Sequence, residues 1–173
     1  MPGPGSKIFS STNNNYVQNF KQAGAGRGTY VGMCGGLSTL WLLNMLNDVR
    51  DINSKPEEGR AQLIQVRYRW DKSLGGDDAI NLVQSVGLHA TRFLNKAGVS
   101  YATEQIAGKD GAFLIWNGPH FVAAYINGGK FYFYDCEDGL YLLNNKADWR
   151  AQITSMGYGG RYPDPWTVFT VTN

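Results

Sequence analysis

Cysteine and histidine are scarce in this chain, at two residues each. Two cysteines cannot make the disulfide framework of a small secreted scaffold. Two histidines and two cysteines without ligand spacing make a poor zinc cluster, so neither metal nor cofactor is expected. An excess of one charge is also lacking. Sixteen basic and 14 acidic residues are interspersed and leave a net charge of +2, which offers neither a nucleic-acid groove nor a membrane-surface patch. No stretch approaches the ~20 apolar residues of a membrane span. The first six residues lack the basic and apolar regions of a secretory signal and read as a linker. There is no internal repeat. At 173 residues the expectation is one domain. Residues 1–15, rich in Pro, Gly, Ser and Asn, read as a flexible start, and residues 16–173 as the folded unit.

What the chain does hold changes character near residue 110. Before that point the patterns are helical: a short helix over Tyr16–Gln22, a long one over Cys34–Asp48, and another from Lys55-Pro56-Glu57-Glu58 to about Asp71. A helix capped by Asp77-Asp78 runs to Val86. A short strand over Thr91–Leu94 and a short helix over Tyr101–Ala107 follow. After that point strands dominate: Gly111–Trp116, His120–Ile126, Lys130–Asp135, Gly139–Leu143 and Trp166–Val171, with a helix over Lys146–Met156. Asn127-Gly128-Gly129 supplies residues that tolerate positive φ and predicts a hairpin. Helices first and an antiparallel sheet afterwards define an α+β domain.

Cys34 stands where a glycine-rich loop turns into a helix whose apolar face carries Leu37, Leu40, Trp41 and Met45. Unpaired N–H groups and the positive end of the helix dipole favour a thiolate there. Gly35 and Gly36 leave room for a substrate backbone to approach the sulfur. The plain alternative is a small buried cysteine.

The second half supplies the partners. His120 begins one strand, and Asp135 ends the strand paired to it through the Asn127 hairpin, so the two are neighbours by local geometry. A carboxylate beside an imidazole fixes its tautomer and stabilises the imidazolium. Cys34, His120 and Asp135 then compose a nucleophilic thiol site. Asp138 is a rival acid, although it lies beyond the paired strand. A Cys34–Cys136 disulfide is conceivable, but alternation points Cys136 away from the Asp135 face and makes it a gap filler. His89 reads as structural.

On Gly-Met-Cys34-Gly-Gly-Leu-Ser-Thr-Leu-Trp41, Gly-Pro-His120-Phe-Val-Ala-Ala and Phe-Tyr-Phe-Tyr-Asp135, the chain resembles papain-like cysteine proteases, and among them the YopT-type bacterial effector proteases. The resemblance covers about residues 30–172. It implies a papain-like fold, with the nucleophile at a helix N-terminus packed on a C-terminal antiparallel sheet. It implies a Cys34, His120, Asp135 triad acting on a protein or peptide substrate. It also implies a monomer delivered into a target cell without a cleavable signal, with a secretion chaperone or immunity protein as partner. Two departures stand out. Only about thirty residues precede the cysteine, where family members often carry more. The position six residues before it, commonly Gln in papain-like enzymes, is Gly28, so the oxyanion side chain falls to Gln22, Thr29 or another residue. A deamidase, a transglutaminase-like or acyl-transferring toxin, an NlpC-type peptidoglycan amidase and a non-enzymatic binding module remain alternatives.

Overall fold

The computed structural model describes residues 6–10, 34–47, 59–61, 63–64, 78–117, 120–136, 138–157 and 164–173. Its frame is a seven-stranded antiparallel sheet. The strands are β1 (Ser6–Ser10), β2 (His89–Ala97), β3 (Gly111–Trp116), β4 (Phe121–Asn127), β5 (Lys130–Asp135), β6 (Gly139–Leu143) and β7 (Trp166–Thr172), in the order β1-β6-β5-β4-β3-β7-β2. Among the described residues, helices α1 (Cys34–Asn47), α2 (Asp78–Gln84), α3 (Val99–Ala107) and α4 (Lys146–Gly157) cover it.

The central strands of the sheet are buried on both faces. Strand parity divides the core in two. Leu114, Phe121, Ala123, Tyr134 and Phe169 face α1 and α2. Phe113, Val122, Phe133, Trp149 and Val168 form the core shared with α3 and α4. Covered on both sides, β3, β4 and β5 read as near-continuous apolar runs rather than alternating ones. The hairpin forms where Asn127 and Lys130 pair, with Gly128 at φ 56° and Gly129 at φ 81°. Both angles lie in the left-handed region that a type I′ turn demands.

Helix α1 lies against the sheet with Leu37, Leu40, Trp41, Leu42 and Met45 buried. Each fully buried large apolar side chain contributes roughly 1.5–3 kcal/mol. The helical residues 59–61 pack on its first turn so closely that a Cβ on Gly36 would fall 2.3 Å from the Ala61 carbonyl oxygen. The missing side chain of Gly36 therefore admits a neighbouring backbone of the same chain, not a substrate.

Several boundaries differ from the sequence reading. Ser6–Ser10, inside the stretch read as flexible, forms β1 and pairs with β6, so the free backbone groups of that edge are satisfied. Strand β2 is nine residues long instead of four. It lies at an edge, largely exposed, with register shifts at Arg92/Leu94 and Leu94/Ala97, so its sequence carries no clean alternation. His120 lies just before β4 rather than within it. The helix expected over Tyr16–Gln22 and most of the one from Lys55 to Asp71 fall outside the described residues.

Gly36→Ala is expected to destabilise the fold by at least the ~1–3 kcal/mol typical of overpacking, because the obstacle is backbone. Gly59→Ala, with nothing within 4 Å of the added carbon, serves as control. Chemical unfolding of both variants checks this, and equal midpoints would refute the close approach.

Candidate active site

The site sits at the end of the sheet, where the α1 layer and the strand ends meet. Continued backward from Ala123↔Tyr134, the β4–β5 ladder sets His120 diagonally across from Asp135 on one face. His120 Nε2 donates to Asp135 Oδ1 at 2.8 Å. The Asp135 side chain is wholly buried, and the imidazole is 10% exposed. A buried carboxylate needs a charged or hydrogen-bonding partner, and this one has it.

Local sequence fixes His120 at its backbone as well. Its N–H donates to Asn117 Oδ1 at 3.1 Å, and its carbonyl accepts from the Asn117 N–H at 3.2 Å. An Asn followed by Gly-Pro is a turn signal, and the Asn side chain mimics a backbone acceptor. Asn117 was legible from the sequence on that ground, although the search for chemistry passed over it.

Cys34 is the first residue of α1 and is half-buried. Two contacts hold its helix over the hairpin. Ser38 Oγ donates to the Phe121 carbonyl at 3.4 Å, one residue from His120. Trp41 stacks on Tyr134, one residue from Asp135, at 5.4 Å between ring centroids and 22° between planes. The Leu-Ser-x-x-Trp spacing thus ties the helix that begins at Cys34 to β4 and β5.

Burial depresses the basicity of His120. The hydrogen bond to Asp135, then the one to Cys34 and the negative charges of both, outweigh it and raise the imidazole pKa from 6.5 to about 10. The ring is therefore an imidazolium at neutral pH, held between a sulfur and a carboxylate.

Cys136 fills the α1-side core with Tyr132 and Tyr134, as its parity predicts, and is wholly buried. At the turn after β5 it also lies close to the paired side chains. Its sulfur, a His120 ring nitrogen and an Asp135 oxygen all lie within 4.8 Å of one another. Among the described residues these are the atoms close enough to share a metal ion. Both cysteines are free. Asp138, the rival acid, accepts from Tyr141 Oη at 2.5 Å. The candidate oxyanion side chains Gln22 and Thr29 lie outside the described residues.

No protein-family model matches this chain. No curated protein matches it in sequence. Solved structures do match in fold. The Pseudomonas avirulence protein AvrPphB superposes with a TM-score of 0.60 at 16% identity, over 80% of this chain and 90% of the other. The cysteine protease-like domain of the Photorhabdus asymbiotica toxin PaTox matches at 0.47 and 12% identity, over 90% of this chain and 58% of the other. The YopT domain of the Pasteurella multocida PfhB2 toxin matches at 0.33 and 16%, over 92% and 90%. The chain has an α+β papain-like fold, which it shares with AvrPphB.

Two measurements test the site. The imidazolium's contribution to stability should be full below pH 6.5 and be lost as pH rises through about 10. Ring NMR should accordingly show His120 still protonated at about pH 8, and a neutral ring there would refute the pairing. Iodoacetamide should label Cys34 in the folded protein and spare Cys136, which is 0% exposed. Peptide mass mapping showing equal labelling of both would refute that placement.

Proposed function

We propose that the chain is a cysteine hydrolase acting on protein substrates, with Cys34 as nucleophile, His120 as proton carrier and Asp135 as the residue that orients His120. The observation that carries the reading is the His120 ring held between the Cys34 sulfur and the buried Asp135 carboxylate. Nε2 is taken by Asp135, so Nδ1 is the nitrogen that serves the thiol. The Cys34 sulfur attacks the substrate carbonyl carbon, and the C=O electron pair moves onto oxygen. The Cys34 backbone N–H at the start of α1 is one donor for that oxyanion. His120 gives its proton to the leaving amine, the C–N bond breaks and a thioester remains. His120 then takes a proton from water as the water attacks, and the thiolate departs.

AvrPphB, which shares the fold, is an avirulence protein, and this supports delivery into a target cell as an effector.

Incubation with a cell lysate, followed by labelling of new protein N-termini, tests the reading. New termini should arise with the wild type and vanish with Cys34→Ala. Asp135→Ala should depress their rate by roughly 10–10⁴-fold, because the imidazole loses its orientation. Deamidated glutamine without new termini would replace the protease reading with a deamidase.

A further inference from the structure

We propose that Tyr141 and Asp138 are positioning residues that clasp the β5–β6 turn, so that Asp135, and not Asp138, holds His120. The proposal rests on the triad reading above. Asp135 is the last residue of β5 and pairs with Gly139, the first of β6. A carboxylate at a strand end swings if its turn frays. Two carboxylates three residues apart on one turn also compete for the same imidazole.

The structure answers both problems at one place. The Asp138 N–H donates to the Asp135 carbonyl at 3.0 Å and closes the turn. Tyr141 Oη donates to Asp138 Oδ2 at 2.5 Å and gives that second carboxylate a partner of its own. Tyr141 is well placed to act as an anchor. It lies opposite Phe133 in the ladder, it is 8% exposed, and it belongs to the core shared with Trp149 and Ile153. Its hydroxyl also meets the side chain of Gln152, a buried residue of α4. Burial, Asp138 and the charges of Asp138 and Asp135 all hold the phenol in its protonated, donating form. The clasp thus joins α4 to the turn that carries the acid.

The test follows His120 and Cys34 together, in wild type, Tyr141→Phe, Asp138→Ala, Asp138→Asn and Asp135→Ala. His120 ring NMR gives the titration midpoint, and the rate of Cys34 alkylation by iodoacetamide is measured across pH. Tyr141→Phe and Asp138→Ala are expected to move the midpoint down from about 10 toward 6.5, in the direction of Asp135→Ala, and to slow alkylation several-fold near neutral pH. Asp138→Asn keeps an oxygen acceptor for the phenol and should behave as wild type. Midpoints and rates unchanged in Tyr141→Phe and Asp138→Ala, with or without a lower melting temperature, overturn the clasp while leaving the triad. An unchanged midpoint in Asp135→Ala overturns both.

Discussion

A carboxylate with no access to water must be paired, and the pairing of Asp135 with His120 is the contact on which the rest of the site depends. An unpaired charge at this depth would cost several kcal/mol. The hydrogen bond removes that cost and leaves the imidazole charged. The surrounding elements can be understood from what they do for this pair. The β4–β5 register brings the two side chains to one face. The Asn117 loop sets the backbone of His120. Ser38 and Trp41 seat α1 across the hairpin.

The location of the pair resolves a geometric conflict. His120 and Asp135 share the parity of the α3/α4 core, whereas Cys34 packs against the α1/α2 core. Within a regular sheet those faces do not meet. They meet here because His120 lies just outside the ladder, where the pleat no longer dictates direction. A site that draws its groups from both layers must sit at a strand end, and its chemistry is then exposed to the rigidity of the adjoining turns.

Much of this arrangement was legible in the residues. The Asn-Gly-Gly turn and the lengths of the runs around it were enough to pair β4 with β5, and so to bring His120 to Asp135. The boundaries of β3, β5 and β6 follow from apolar runs ended by Gly, Asp or Asn. The misreadings have physical causes. Strand β1 looked like linker because five residues next to glycine and proline carry no period of their own, and it is the β6 edge that orders them. Strand β2 was cut short because an exposed, bulged edge strand shows little alternation. Gly36 looked like open space for a substrate because sequence does not reveal that the helical residues around Ala61 come back to it.

The strand order has a consequence for how the chain assembles. β3, β4 and β5 each pair with the next strand in sequence, so the meander bearing His120 and Asp135 needs only local closure. β2 pairs with β7 alone, and two helices and four strands lie between them in sequence. That long loop must close before β2 gains any partner, which is the slow kind of contact. β7 itself inserts between β3 and β2 and completes both cores. The imidazole–carboxylate half of the site can therefore form early in folding, while the far side of the sheet waits on β7. A nascent or partly unfolded chain that has not docked β7 presents the edges of β2 and β3 as open templates for strand pairing. A protein that has to unfold and refold would be most prone to aggregate at that point.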